Sequence, residues 1–355
     1  MAKKLMKGCE AIAEAAIQAG CRYFFGYPIT PQNDIPEYMS LRLPQVGGCF
    51  LQAESELAAI NMVYGAGGAG ARVMTSSSSP GISLKQEGIS TCAAAEIPCV
   101  VVNMMRGGPG LGNIQASQGD YFQAVKGGGH GDYHLIVYAP SSIQEACDMM
   151  QKAFDVADQY RTPVMILADG LIGQMMEPVE LKTNPDLVLP EKPWAATGYT
   201  PGGKKPRSVL NSLYIETEDL DQLLERLFAR YAVIEANEQM WETYNTEGAE
   251  YILCAYGTVA RVCKAAIRIL GEQGVKAGLV RPISLWPFPS KAVHDAIVQD
   301  SVKEALTVEV SSGQMVEDIR LAVNGERPVQ FMGKAGSYIP TAEEIAERIL
   351  QMRRG

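Results

Sequence analysis

The sequence lacks the closely spaced cysteines and histidines that usually hold metals. Its eight cysteines are scattered with no CxxC pair, which argues against the usual iron–sulfur and zinc spacings. His130 and His134 are four residues apart, but they fall in GGGHGDYH, a glycine-rich turn that runs into a strand, with no HExxH glutamate. We therefore expect no metal site within this chain. His130 is interpreted as a loop residue, with an acid–base role as the alternative.

Long apolar runs and an excess of positive charge are also missing. No run of eighteen apolar residues is present, so we expect no membrane span. The start, MAKKLMKG, is basic but leads into an alanine-rich amphipathic pattern without the apolar core of a signal peptide. The net charge of −9 provides no basic stripe for nucleic acid. Most cysteines stand in apolar surroundings, which indicates buried free thiols and a reducing, cytoplasmic location.

The common nucleotide-binding motifs are absent too. TSSSSPG at 75–81 has no following GK[ST], so it is not a P-loop. The glycines at 65–70 and 107–112 do not follow the strand–GxGxxG–helix plan, so a nicotinamide site is poorly supported. Asp169-Gly170 follows a predicted strand, but we find no Gly-Asp-Gly with a downstream Asn of the kind that holds a magnesium diphosphate.

The chain of 355 residues is long enough for two domains, and its pattern alternates between strands and helices. This predicts an α/β fold with a doubly wound parallel sheet, followed by a smaller α/β domain. The predicted divisions are residues 1–185, a connecting segment at 186–248 and residues 249–355. Within the connection, about 181–207 has no periodicity, and Thr217 is predicted to cap an amphipathic helix. That helix either braces the two domains or forms an oligomer contact.

Ten strands and ten helices can be placed from the pattern. The strands are predicted at 21–25, 49–52, 72–76, 98–103, 135–138, 163–168, 251–255, 275–280, 305–309 and 329–332. The helices are predicted at 8–19, 34–41, 56–64, 82–95, 143–160, from 218 onward, 259–270, 291–298, 315–323 and 342–352.

Four loops are expected at the carboxyl ends of strands, where ligands of open α/β sheets bind. They contain YPITPQ at 27–32, QAESELAA from 52, TSSSSPG at 75–81 and MMRGGPGLG at 104–112. Glu54 and Glu56 begin a helix with Leu57, Ile60 and Val63 on one face, which is predicted to end where the glycines start at Gly65. By themselves these carboxylates are ordinary first-turn residues.

Three further features have both a structural and a functional interpretation. Arg106 follows an apolar strand and precedes glycines, so it is either a solvated loop arginine or a bidentate carboxylate ligand. Thr30 is held in an extended conformation between two prolines, and most such hydroxyls only satisfy local backbone groups. The serine run either presents hydroxyls and N–H groups to an anion or forms a turn.

Taken in order, YPITP, QAESELAA…YGA, TSSSSPGISLKQEG, VVNMMRGGPGLG and GGGHGDYHLIVYAP resemble the α subunit of 2-oxoacid:ferredoxin oxidoreductases. The resemblance covers nearly the whole chain and is strongest for the branched-chain (3-methyl-2-oxobutanoate) enzymes. It implies a sheet of the thiamine diphosphate pyrimidine-binding (PYR) type and a C-terminal domain of the transketolase type.

The resemblance also implies site residues. Glu56, nine residues before Gly65, stands where the family keeps its coenzyme-activating carboxylate, with Glu54 as the rival. Such a carboxylate bonds the aminopyrimidine ring and favours loss of the thiazolium C2 proton. Thr30 and Arg106 would hold the 2-oxoacid carboxylate. The remaining coenzyme contacts would come from Pro28, Ile29, Ser79 and Gly81.

The implied reaction is oxidative decarboxylation of a 2-oxoacid to acyl-CoA and carbon dioxide, with ferredoxin as electron acceptor. Implied partners are a β subunit that holds the diphosphate and magnesium, a γ subunit, a ferredoxin-like δ subunit with the iron–sulfur clusters, and a second α subunit. Gly110-Leu111 stands where 2-oxoglutarate-specific relatives tend to carry a serine-threonine pair, which favours branched-chain acids over 2-oxoglutarate. The alternatives are a transketolase-like transferase without electron transfer and a non-catalytic scaffold subunit.

Overall fold

The structure is a computed structural model that describes residues 3–182, 187–203 and 206–354. Two parts of the predicted irregular connection, 183–186 and 204–205, lie outside the described residues, and so does the predicted division at 185/186. The remainder of that connection, at 187–203, forms no helix or strand, in agreement with the prediction.

The described residues form strands and helices in the following order. The strands are β1 (Lys4–Lys7), β2 (Tyr23–Gly26), β3 (Cys49–Gln52), β4 (Val73–Ser77), β5 (Cys99–Met105), β6 (Ile136–Tyr138), β7 (Pro163–Asp169), β8 (Met176–Val179), β9 (Trp241–Tyr244), β10 (Tyr251–Cys254), β11 (Ala277–Pro282), β12 (Ser284–Trp286), β13 (Glu304–Glu309) and β14 (Val329–Gly333). The helices are α1 (Gly8–Gln18), α2 (Asp34–Gln45), α3 (Glu56–Gly68), α4 (Ser79–Ala94), α5 (Tyr121–Val125), α6 (Ile143–Tyr160), α7 (Gly170–Gln174), α8 (Thr217–Asn237), α9 (Gly257–Glu272), α10 (Ser290–Ile297), α11 (Met315–Val323) and α12 (Ala342–Arg354).

A seven-stranded sheet forms the centre of the first part of the chain, in the order β12-β6-β7-β5-β4-β2-β3. All its strands are parallel except β12 at one edge, which pairs antiparallel with β6. Strand β5 is buried along its whole length, as its apolar sequence PCVVVN predicts for a central parallel strand. α1 packs against α2 and α6, while α3 packs against α4, so helices cover the sheet as two separate groups. The predicted doubly wound parallel sheet is confirmed.

A five-stranded sheet follows, in the order β14-β13-β10-β11-β9, and it is parallel except for β9. α9 and α12 pack together above one apolar cluster of this sheet. The other face belongs to the same large core as the seven-stranded sheet. The predicted second, smaller α/β unit is therefore present, and it shares its core with the first.

Polar groups bind the two sheets together around the end of the glycine-rich loop at 106–120, between β5 and α5. Gln118 donates from its backbone N–H to the Val310 carbonyl (2.9 Å) and from its side chain to the Tyr256 carbonyl (3.0 Å). The Tyr121 hydroxyl donates to the Asp318 carboxylate at 2.6 Å. The Thr258 hydroxyl donates to Asp169 at 2.7 Å. Because these groups are buried, the loop is fixed at its C-terminal end by the second sheet.

Several predicted helix ends were wrong. α3 does not end at Gly65 but continues to Gly68, and the chain leaves the helix at Gly70, whose φ is +90°. The helix continues because Gly67 lies against Ile97, where a Cβ would come within 2.6 Å of the Ile97 side chain. α4 begins at Ser79 rather than residue 82. Thr217 is the first residue of α8 rather than its cap, and Glu216 precedes it without a side-chain capping bond.

α8 is amphipathic, as predicted, and it buries a narrow apolar face. Leu223, Leu227, Tyr231 and Ile234 are buried in the large core, whereas Leu220 is 40% exposed. The Tyr231 ring lies edge-on to Trp286 at a centroid distance of 5.6 Å. The helix therefore packs against the chain's own core along one face.

Candidate functional site

The carboxyl ends of β2 and β4 lie side by side in the seven-stranded sheet. From β2 the chain runs outward to the edge strand β3, and from β4 it runs the other way to β5. This is a topological switch point, where a crevice opens at the carboxyl ends of the strands. YPITPQ follows β2, and the serine run leads from β4 into α4. The side chain of Ser76 donates to that of Gln32, which binds the two loops together.

Glu56 is the first residue of α3, and its side chain is buried, with 6% exposure. Ser55 caps the helix by accepting a hydrogen bond from the Ala58 N–H at 3.1 Å. Among the described residues, none donates a hydrogen bond to the Glu56 carboxylate. Glu54, the rival, is exposed. A buried carboxylate without a donor is unusual, since burial without hydrogen bonds is costly.

Gly81, in the first turn of α4, lies directly against this carboxylate. A Cβ at Gly81 would be 2.8 Å from a Glu56 carboxylate oxygen and 2.1 Å from the Ser77 hydroxyl. Only glycine fits here, and the α4 backbone is therefore in close contact with the acid. The hydroxyls of Ser77 and Ser78 are buried and have no partner within the described residues.

We expect Gly81→Ala to destabilise the protein by about 1–3 kcal/mol, because the methyl group must displace Glu56 or Ser77. Gly65→Ala is the matched control: Gly65 lies inside α3, and a Cβ there would meet nothing within 4 Å. That control should be stabilised by roughly 0.5–1 kcal/mol. Thermal unfolding of both variants checks the pair, and equal effects at the two positions would contradict the close packing.

Arg106 is buried, with 8% exposure, so the solvated-loop interpretation is wrong. Its two terminal nitrogens donate to the carbonyls of Thr30 (2.8 Å) and Leu111 (2.9 Å). Its Nε is buried and has no partner among the described residues. The guanidinium group is thus fixed between the YPITPQ turn and the glycine-rich loop that follows β5, with its Nε–H donor unused.

Two residues that the sequence interpretation missed hold Ser79 and Arg106 together. The Ser79 hydroxyl accepts from the Arg106 N–H (2.9 Å) and donates to Asp120 (2.6 Å), and Asn103 donates to the same carboxylate (2.9 Å). The Asn103 side chain also accepts from the Ser79 N–H at 3.1 Å. Burial raises the pKa of the Asp120 carboxyl, and the bonds from Ser79 and Asn103 oppose that rise. Asn103 was detectable as the polar residue at the end of the apolar run PCVVVN.

Thr30 lies in a turn closed by a hydrogen bond from the Gln32 N–H to the Ile29 carbonyl (3.1 Å). Its side chain is exposed, and its hydroxyl accepts from the Asn33 amide at 3.3 Å. Its carbonyl contacts Arg106. Pro28 is exposed and Ile29 half-buried in the same turn. The hydroxyl is therefore free to face a ligand.

The other candidate groups have structural partners. The His134 ring stacks on Trp286 at a centroid distance of 4.6 Å, and burial lowers its pKa. Asp169 is buried against Thr258, and burial raises its pKa, against the opposing hydrogen bonds. All eight cysteines are free thiols, and seven are buried, while Cys49 is exposed.

Among residues 3–182, 187–203 and 206–354, no three His, Cys, Asp or Glu side chains are grouped as metal ligands would be. In the same residues no helix is long and apolar enough to cross a bilayer.

The residues around Glu56 fit the pyrimidine end of thiamine diphosphate. The aminopyrimidine ring nitrogen needs a carboxyl group that can exchange a proton with it, and the Glu56 carboxyl group has no competing hydrogen-bond donor among the described residues. The Gly81 backbone and the unpartnered hydroxyl of Ser77 lie beside that carboxylate.

Two family models match the chain. Residues 14–244 match the pyruvate flavodoxin/ferredoxin oxidoreductase, thiamine diphosphate-binding family. Residues 249–345 match core domain II of pyruvate:ferredoxin oxidoreductase. The chain is 46% identical over 352 residues to the ketoisovalerate oxidoreductase subunit VorB of Methanothermobacter thermautotrophicus, covering 99% of this chain and 98% of that subunit.

Solved structures agree with this. A 2-oxoglutarate:ferredoxin oxidoreductase from Magnetococcus marinus, with 2-oxoglutarate, coenzyme A and succinyl-CoA bound, matches at a TM-score of 0.83 and 26% identity. That match covers 98% of this chain and 65% of the other. A split-gene transketolase, an inactive β4 tetramer, matches at a TM-score of 0.61 and 13% identity over 98% of this chain and 97% of the other, which shows the fold alone.

The fold and the first matched family define a thiamine diphosphate-binding subunit. The chain belongs to the 2-oxoacid:ferredoxin oxidoreductase family, as an α-type subunit. It is part of an enzyme that oxidatively decarboxylates 2-oxoacids, and its relatives are subunits of multi-subunit complexes. The predicted family, fold and enzyme class are confirmed.

Proposed function

We propose that this chain forms the half of the coenzyme site that holds the pyrimidine ring, with Glu56 as the catalytic carboxylate. The observation that carries the proposal is the buried Glu56 side chain without a donor, packed against Gly81 at the switch point of the sheet. Glu56 exchanges a proton with the ring nitrogen through its carboxylate oxygen. Pro28, Ile29, Ser79 and Gly81 contact the coenzyme from the two neighbouring loops.

When bound, thiamine diphosphate supplies a carbon nucleophile and an electron sink for decarboxylation. The residues of this chain orient the bound coenzyme and exclude water from the site. Ser79 is locked by Asn103 and Asp120, so the start of α4 does not have to reorganise when the ligand binds. The partner β subunit holds the diphosphate and magnesium, since this sequence lacks the motif that does so.

Arg106 and Thr30 bind the carboxylate of the 2-oxoacid. The unpartnered Nε of Arg106 and the exposed hydroxyl of Thr30 are donors on adjacent loops, and the Arg106 side chain is already fixed by two carbonyls. A fixed guanidinium loses little conformational entropy when it binds an anion. The two groups therefore bind the carboxylate that all 2-oxoacids share, and contacts to the rest of the substrate determine which 2-oxoacid is selected.

The substrate we propose is a branched-chain acid, 3-methyl-2-oxobutanoate. The carbonyl of Leu111 accepts a hydrogen bond from Arg106, and the apolar side chain of Leu111 is 80% exposed. An apolar side chain there suits an aliphatic substrate better than the second carboxylate of 2-oxoglutarate. The 46% identity to a ketoisovalerate oxidoreductase subunit supports the same choice. Specificity for 2-oxoglutarate or another 2-oxoacid is the alternative.

The proposed assembly contains β, γ and ferredoxin-like δ subunits and a second copy of this chain, in the cytoplasm. Coenzyme A accepts the acyl group, and the iron–sulfur clusters of the partners pass electrons to ferredoxin. We also propose the division into residues 1–185, 186–248 and 249–355, which the two matched family models support near residue 249. The transferase and scaffold alternatives require no cluster-bearing partners.

The test is anaerobic purification of the complex through a tag on this chain, followed by coenzyme A-dependent viologen reduction. We expect the complex to reduce viologen with 3-methyl-2-oxobutanoate at a kcat/KM at least about tenfold above that with 2-oxoglutarate, a difference of about 1.4 kcal/mol. The chain alone is the control and should be inactive. Higher kcat/KM with 2-oxoglutarate would reject the substrate, and a complex inactive with every 2-oxoacid would support the transferase or scaffold alternative.

A further inference from the structure

Lys85 is a fully buried lysine that the proposed mechanism does not use. It lies in α4, four residues after Gly81, and its side chain has 0% exposure. Residues four apart on a helix share a face, so Lys85 projects from the same side of α4 as Gly81. That side packs against α3, which begins at Glu56.

α3 and α4 pack closely at two glycines of α4, one before and one after Lys85. Gly81 contacts the Glu56 carboxylate, and Gly88 contacts Ile60, where a Cβ would come within 2.4 Å of the side chain. Both contacts require the absence of a side chain on α4. The ammonium group of Lys85 is therefore held in a closed space between the helices, next to the first turn of α3.

Lys85 has few partners for a buried charge. Its ammonium group donates one hydrogen bond, to the Glu56 carbonyl at 3.4 Å, although it has three donors. Within the described residues, no carboxylate lies within 4 Å of it. Lysines are almost never fully buried unless paired, because the desolvation cost is high. An apolar side chain would fill the same space at less cost, which indicates that the charge itself has a use.

We propose that Lys85 is a positioning residue whose ammonium group supplies positive charge near the Glu56 carboxylate and fixes the backbone at the start of α3. This inference rests on the proposed role of Glu56. A positive charge in a buried space stabilises the negative charge of a carboxylate near it, and the proposed role of Glu56 depends on gaining and losing that charge. The bond to the Glu56 carbonyl fixes the backbone from which that carboxylate projects.

The electrostatics agree with this placement. Burial lowers the pKa of Lys85 to about 8, and the negative charge of Glu56 opposes that lowering. Among the described residues packed around Lys85, Glu56 is the charged group whose electrostatic effect on the ammonium is resolved. Below about pH 8, Lys85 is charged in both the folded and the unfolded chain, and burying that charge lowers the free energy of unfolding. Between about pH 8 and 10.5, the unfolded chain keeps a proton on Lys85 that the folded chain has released. Stability therefore rises with pH across that window.

The test is Lys85→Met in the full chain and in the assembled complex, with Lys291→Met as control, because Lys291 is 84% exposed and far along the chain on α10. We expect Lys85→Met to unfold at a higher temperature than wild type at pH 7, with the gap closing between about pH 8 and 10.5. In the complex, the acid side of the pH dependence of kcat and of thiamine diphosphate affinity should move to higher pH by about 1 unit, since the variant loses the positive charge that attracts the Glu56 carboxylate. The control should change neither.

A methionine variant that unfolds at a lower temperature, or fails to fold, would overturn the inference, because Lys85 would then be a structural contact. So would an unchanged acid side of that pH dependence. Glu56→Gln separates this result from the proposed function. If the Glu56→Gln complex keeps full activity, the catalytic role of Glu56 is wrong. If that variant is inactive while Lys85→Met leaves the pH dependence unchanged, only the role of Lys85 is wrong.

Discussion

Replacing Arg106 by methionine should lower kcat/KM for the 2-oxoacid by about 10²-fold or more, mainly through KM. A charge-assisted hydrogen bond contributes roughly 1.5–3 kcal/mol, and about 1.4 kcal/mol corresponds to tenfold. Methionine also leaves the carbonyls of Thr30 and Leu111 without their donor, so the two loops lose their link. Arg106→Lys should recover part of the loss, because lysine keeps the charge but cannot donate to both carbonyls in the same geometry.

The control for Arg106 is Arg268→Met, which removes an exposed arginine from α9. It should leave kcat/KM unchanged. Steady-state kinetics of the complex with varied 2-oxoacid measures all three variants. Equal KM values for Arg106→Met and wild type would show that the arginine holds the loops and not the substrate.

Much of the fold could be predicted from the sequence because long, periodic elements carry their own signal. The helices at 143–160 and 315–323 have the predicted ends, and the apolar strands of the sheet centre were placed within one or two residues. The strands β1, β8, β9 and β12 were missed. Each is only three or four residues long, and each depends on a distant partner, as in the pairing of β1 with β8. No local pattern encodes such pairs.

The glycines of α3 show a second limit. In the sequence, Gly65 to Gly70 resembled a helix end, because glycine has low helix propensity. In the structure Gly67 is needed inside the helix for contact with Ile97, and Gly70 supplies the positive φ that ends it. Tertiary packing outweighed the low helix propensity of glycine. This packing could be recognised only from the structure, which shows the neighbours of Gly67.

The candidate site was predictable in its residue types and not in its contacts. Arg106, Ser79 and Gly81 were selected, and the structure brings them to one crevice. The hydrogen bond from the Ser79 hydroxyl to the Asp120 carboxylate spans 41 residues, so no spacing rule could have found it. The burial of Lys85 was equally hidden, since SLKQEG has the appearance of an ordinary helix surface. These features depend on how α3 and α4 meet.

Replacing Glu56 by glutamine should lower turnover of the assembled complex by about 10²- to 10⁴-fold, the usual contribution of a positioned acid–base group. Glutamine has nearly the same shape and can still accept a hydrogen bond, but it cannot take up or release a proton. The fold should be retained, because Ser55 and not Glu56 caps α3. Loss of coenzyme affinity should be smaller than loss of turnover.

Glu54→Gln is the matched control, since Glu54 is two residues earlier in the chain, is exposed, and within the described residues is hydrogen-bonded to Ser55 alone. The decisive measurement is coenzyme A-dependent viologen reduction by the two variant complexes at saturating thiamine diphosphate. Glu56→Gln should lose at least about 10²-fold in kcat, while Glu54→Gln keeps wild-type turnover. Full turnover by the Glu56→Gln complex, or equal losses in both variants, would contradict the assignment of the catalytic carboxylate to this chain.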